Sequence, residues 1–156
     1  INGNATLYKE MPGASFEWEL SKFMHVVFNQ NSQLSTFTLS YDYTGGAHGM
    51  ESHTYAVFDT RTGKRIELSG LFKSGYKGEL TTLLTRKLKQ DRKIHSTVKL
   101  SDSGFFVDEI EPTNNVYITS TGIGFYYNPY EIAPYSFGGT EIFLPYSELR
   151  NLLKKP

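Results

Sequence analysis

Along Phe16-Glu17-Trp18-Glu19-Leu20 the apolar residues take every second position with glutamates between them, the pattern of a strand with one buried face. Phe37-Thr38-Leu39-Ser40-Tyr41-Asp42-Tyr43 repeats that period of two. The polar cluster Asn29-Gln30-Asn31-Ser32-Gln33 between them suits a hairpin connection, so antiparallel pairing is the simplest reading. Residues 53–58 read as a strand without clean alternation, residues 59–64 as a turn, and residues 65–68 as the returning arm of a second hairpin. The period then changes to about 3.6 residues: Tyr76, Leu80, Leu83, Leu84 and Leu88 form one apolar stripe and predict a helix over residues 76–91. Residues 115–119, 124–127 and 141–144 read as three more strands. Residues 145–153 read as a short helix with proline in its first turn. The expected fold class is α+β: a mainly antiparallel sheet with one long amphipathic helix and a short C-terminal helix packed on one face.

Composition narrows the function classes. At 156 residues and 38% hydrophobic content the chain suits one domain with one sizeable core. Sixteen basic residues balance sixteen acidic ones, so no uniform positive field draws it to nucleic acid, and nucleic acid is not an expected partner. The absence of cysteine excludes a disulfide framework, a thiolate metal site and a cysteine nucleophile. No apolar run approaches the roughly 18 residues of a membrane span. Ile1 is neither an initiator methionine nor part of a signal peptide, from which we expect a processed or truncated piece.

Two Gly- and Tyr-rich segments carry the candidate chemistry. In the first, residues 41–49, Gly45-Gly46 and Gly49 permit positive φ and a sharp reversal that places His48 at a turn. Either the turn is purely structural, or it presents Tyr43 and His48 to a ligand, since neutral imidazole both donates and accepts hydrogen bonds. In the second, residues 119–135, Tyr126, Tyr127, Tyr130 and Tyr135 lie within ten residues, and Pro129 and Pro134 keep the preceding residues extended. Such a stiff loop exposes aromatic surface at low entropic cost, suited to a protein interface or a sugar face. The competing reading is that these tyrosines cover the sheet and close the core.

Reaction chemistry is less well supported. There is no Gly-x-Ser-x-Gly elbow and no phosphate-cradling glycine motif ending in Lys-Ser or Lys-Thr. His48, Glu51 and His53 do not make a metal site on a continuous strand, because a spacing of five sends the two histidines to opposite faces; neither metal nor cofactor is expected. Asp108, Glu109 and Glu111 are the only tight carboxylate cluster and read as a solvated loop before Pro112. The basic run Arg86, Lys87, Lys89, Arg92 and Lys93 reads as a solvated helix side.

The order of Tyr43-Thr44-Gly45-Gly46-Ala47-His48, the 59–64 turn, Leu68 to Phe72, the amphipathic helix, residues 122–134 and Ile142-Phe143-Leu144-Pro145-Tyr146 resembles the RsiV/PdaC-like extracytoplasmic domain. The resemblance covers about residues 34–153, with residues 1–33 expected to be the end of a companion N-terminal segment and 34–156 the domain. That family is named for an anti-sigma factor whose outer domain senses lysozyme and for a peptidoglycan deacetylase that carries the domain beside its catalytic unit. The resemblance implies a non-enzymatic binding module of the bacterial envelope, periplasmic or at the cell surface, with lysozyme or a peptidoglycan-like glycan as partner. Many members are lipoproteins, so a lipid anchor upstream accords with it. The expected binding residues are Tyr43, His48, Tyr126, Tyr127, Tyr130 and Tyr135. Two alternatives stay open: an envelope hydrolase using His48 and an acidic residue from 108 to 111, and a structural spacer.

Overall fold

The computed structural model describes residues 18–45 and 48–154. Its first unit is a three-stranded antiparallel meander of β1 (Glu19–Gln30), β2 (Gln33–Tyr43) and β3 (Met50–Asp59), in that order. The 29–33 cluster does turn the chain. Asn31 and Ser32 take φ of 54° and 59°, the left-handed pair that a two-residue hairpin needs to match the twist of its strands. Gly45 has φ 102°, as expected of a reversal residue, whereas Gly46 lies outside the described residues. Gly49 serves differently: its φ is not positive, and a β-carbon there would fall on the ring of Tyr41.

The period-two reading of residues 16–20 needs correction. Phe16 and Glu17 lie outside the described residues, and the apolar face it predicted is not buried: Trp18 is 68% exposed and Leu20 73%. β1 is an edge strand whose first half runs beyond the core, so alternation there reflects strand geometry without burial. The second hairpin is likewise truncated. Only Phe58 bridges to Arg65, with the Ile66 amide donating to the Val57 carbonyl at 2.7 Å, before Leu68 begins a helical turn.

In the 59–64 turn the Asp59 carboxylate accepts hydrogen bonds from the Arg61 amide (2.8 Å) and guanidinium (2.9 Å). These bonds hold its pKa down at about 2, against an ordinary 3.8. Because the folded value is the lower one, the contribution to stability is complete above the unfolded pKa and is lost as pH falls through the folded one. In a carbon-detected NMR titration, Arg61→Ala is expected to move the Asp59 midpoint back toward 3.8; a wild-type midpoint already at 3.8 would remove the argument.

The helices are α1 (Leu68–Leu71), α2 (Lys77–Asp91) and α3 (Tyr146–Leu149); the last is shorter than the 145–153 helix that the sequence suggests. A second antiparallel sheet has β5 (Gly122–Tyr127) between β4 (Val116–Ile118) and β6 (Thr140–Pro145). The expected single sheet is therefore two, because each meander closes its own hydrogen bonds. Registers Val116↔Phe125↔Ile142 and Ile118↔Ile123↔Leu144 put one face of the second sheet into the core with Leu80, Leu84 and Leu88 of α2. The other face carries Tyr117, Gly124 and Phe143 in one register row and Tyr126 and Glu141 in the next. Gly124 is required there because the Tyr117 ring lies across it.

Two asparagines join the sheets at the open edge of β3. Asn128 accepts from the His53 amide (2.8 Å) and donates to the His53 carbonyl (3.1 Å). Asn115 accepts from the Tyr55 amide (2.6 Å) and donates to the same His53 carbonyl (2.9 Å). Their side chains satisfy backbone groups that a further strand would otherwise pair.

Candidate functional site: an aromatic cleft beside the edge of β3

Because Asn128 and Asn115 grip the backbone of β3, they set the side chains of His53 and Tyr55 against the outer face of the second sheet. His53 stacks on Tyr126 with centroids 4.9 Å apart and planes at 23°. Tyr55 contacts both Tyr126 (5.6 Å) and Tyr117 (4.8 Å). Tyr117 donates a hydrogen bond to Glu141. Burial, that bond and the negative charge of Glu141 push the Tyr117 pKa well up. Glu51, two residues from His53 on the same face, accepts from its Nε2–H at 2.8 Å.

The 128–139 loop supplies the opposite wall. Asn128 takes the Glu131 side chain on its amide (3.1 Å), and the Tyr130 amide donates to the Ala133 carbonyl (3.0 Å), closing a tight turn. Tyr130 has φ 72°, a left-handed conformation that a non-glycine residue adopts at a cost of about 1 kcal/mol or more. Its ring is 53% exposed and lies 5.7 Å from the ring of Tyr135. Tyr135, 41% exposed, stacks on His48 at 5.1 Å and 24°.

Between these elements lies a cleft of about 460 Å³, lined by Glu51, His53, Tyr126, Pro129, Tyr135 and the turn of Ser136, Gly138 and Gly139. Gly139 has to be glycine, since a β-carbon would meet the Tyr126 hydroxyl. Burial first, then the charges of Tyr55, Glu51, Glu141 and Glu131, push the Tyr126 pKa up to about 12. A hollow with aromatic walls and a carboxylate at its edge can hold a ligand by ring stacking and hydrogen bonding.

Of the six residues singled out from sequence, His48, Tyr126, Tyr130 and Tyr135 converge here through ring contacts or the cleft wall. Tyr127 does not. It follows Tyr126 on β5, so it points to the core face, and its hydroxyl donates to the Glu111 carbonyl at 2.7 Å. Tyr43 ends β2 opposite Glu19, half-buried, and is not in the cleft wall. Glu51, His53, Asn115 and Asn128 were missed as site residues. The only sequence signal for the first two was their shared parity on a strand, and for the asparagines there was none. Residues 108–111 lie apart from this cleft: Asp108 accepts from the Ser101 hydroxyl at 2.6 Å, and Glu109 lines a hollow beside α2. Among the described residues no group of three or more His, Asp or Glu side chains could hold a metal ion, and no helix is long and apolar enough to cross a membrane.

A two-sheet α+β domain with an aromatic cleft at the junction of its sheets defines the class, and comparison with known proteins gives the family. The sequence profile described as a protein of unknown function (DUF3298) matches residues 69–147, and a second, described as deacetylase PdaC, matches residues 4–51. The chain belongs to the DUF3298 family and has the PdaC-like character expected from its motifs. It is similar to the crystal structure of a DUF3298 member from Bacteroides fragilis, with 32% identity, a TM-score of 0.87, and coverage of 97% of this chain and 61% of that one. The chain thus spans less than two thirds of that protein. A DUF3298 protein from Pseudomonas aeruginosa PAO1 shares the fold at 23% identity and a TM-score of 0.73, covering 99% of this chain and 69% of that one. No curated protein matches.

Proposed function

We propose that this domain is a non-catalytic binding module of the bacterial cell envelope, and that the cleft beside β3 is where it takes its partner. The carrying observation is the pair of exposed rings, Tyr130 and Tyr135, held by a strained turn at the rim of a formed cleft whose floor is Tyr126. Exposed, rigid aromatic side chains lose little entropy on binding and supply large contact area, the chemistry of binding hot spots. The envelope location and the candidate partners, a lysozyme-like muramidase or a peptidoglycan glycan, rest on the resemblance to PdaC-like domains. The test is a titration of the purified domain with lysozyme and, in parallel, with soluble peptidoglycan fragments. Saturable binding to one of them is expected, weakened about tenfold or more in Tyr135→Ala, as for loss of a buried aromatic anchor. Binding to neither, or binding that Tyr130→Ala and Tyr135→Ala both leave unchanged, would remove the reading.

A further inference from the structure

The carboxylate in the wall of the cleft is that of Glu51, which also accepts from the His53 ring. Aromatic faces present the negative part of their quadrupole, and the exposed ring here is that of Tyr135, since Tyr126 and His53 stack on each other. Glu51 stands in the wall, Glu131 and Glu141 act on the same floor residue, and no lysine or arginine is among the described lining residues. A second feature is independent of charge. Tyr126 has only 9% of its surface exposed, its hydroxyl lies against Gly139 in the cleft, and that hydroxyl makes no hydrogen bond with any described residue. On the same face the Tyr117 hydroxyl donates to Glu141, while that of Tyr55, packed on Tyr126, likewise makes no hydrogen bond with a described residue. A hydroxyl left open toward a hollow can exchange a hydrogen bond with a ligand.

Charge complementarity decides among occupants. An anionic glycan substituent would meet carboxylates, and a neutral sugar would leave the negative field without a counter-charge. A guanidinium satisfies both features: its plane stacks on tyrosine rings, and its forked N–H groups reach a carboxylate and a phenol oxygen together. An ammonium provides the charge without the plane. We propose that the cleft receives an arginine side chain from the surface of a protein partner, with its guanidinium against the exposed Tyr135 ring and hydrogen-bonded to Glu51 and the Tyr126 hydroxyl. This rests on the binding-module reading above and specifies its partner as a protein.

The experiment follows backbone amides of the nitrogen-15-labelled chain by NMR while adding an acetylated Gly-Arg-Gly amide or its citrulline counterpart, which has nearly the same shape but no charge. Shifts concentrated at Ser136, Gly138 and Gly139 are expected with the arginine peptide, and binding about tenfold weaker with citrulline, for the loss of one charge-assisted pair. Glu51→Gln is expected to bring arginine binding close to that of citrulline. Tyr126→Phe, which keeps the ring, should weaken it less; the amides of Ile123 and Gly124, paired on both sides within β5, report whether each variant stays folded. Equal shifts from the two peptides, or shifts produced only by a chitin oligosaccharide, would overturn the arginine proposal while leaving a binding cleft. If neither peptide nor oligosaccharide shifts these amides and the titrations with lysozyme and peptidoglycan fragments are also silent, both proposals fall together.

Discussion

Phe125→Ala is expected to remove about 3–5 kcal/mol of stability, the usual range for deleting a fully buried phenylalanine. Phe125 has no exposed surface, sits between Val116 and Ile142 in register at the centre of the second sheet, and lies 6.5 Å ring to ring from Phe72. The lost term is burial plus the cavity left behind, because strands on both sides pin the backbone and stop the walls from collapsing. Against a typical stability of about 5–15 kcal/mol for a whole domain, such a loss is large. Urea unfolding followed by circular dichroism would show it as a lower midpoint with an unchanged slope. A loss below about 1 kcal/mol would mean that the site is not the packed centre described above.

The second large effect is expected at the joint. Asn128→Ala takes away the acceptor of the His53 amide and one donor to the His53 carbonyl, leaving a half-buried N–H without a protein partner. A cost of about 1–3 kcal/mol follows from stranding such a group. Asn115→Ala strands the Tyr55 amide in the same way. Since both asparagines donate to the same His53 carbonyl, the double variant is expected to depart from the sum of the singles. Function should fall with stability in these variants, because the grip on the backbone sets the His53 ring against Tyr126. Amide hydrogen exchange at His53 and Tyr55 is the direct readout. An unchanged exchange rate at His53 in Asn128→Ala would show that the Asn128 side chain does not protect that amide.

How much of this was legible in the chain can be traced through particular residues. The stripe from Tyr76 to Leu88 predicted α2 to within one residue at its start, because a helix that covers a sheet must place its apolar side chains at intervals of three and four. The 29–33 turn and the three short strands of the second sheet were visible for similar local reasons. Trp18 and Leu20 misled: a period of two reports which side chains share a face, not whether anything covers that face. Tyr126 and Tyr127 show the same limit within the candidate site. Neighbours in a tyrosine-rich run look alike in sequence, yet one floors the cleft and the other is spent in the core.

The sequence by itself determined the long helix and most of the strands, the α+β class, the family resemblance and the two segments from which the cleft is built, because periodicity, turn residues and aromatic density are properties of short stretches. Only the tertiary structure decided that the sheets are two, that Asn115 and Asn128 seal the edge of β3, and that Glu51 and His53 meet Tyr126 and Tyr135 across more than seventy residues of chain. A hydrogen bond from an asparagine amide to a distant backbone leaves no periodic trace, and the pairing of one aromatic wall with another depends on how two sheets cross. These are long-range geometric facts, and they became visible only when the chain was folded.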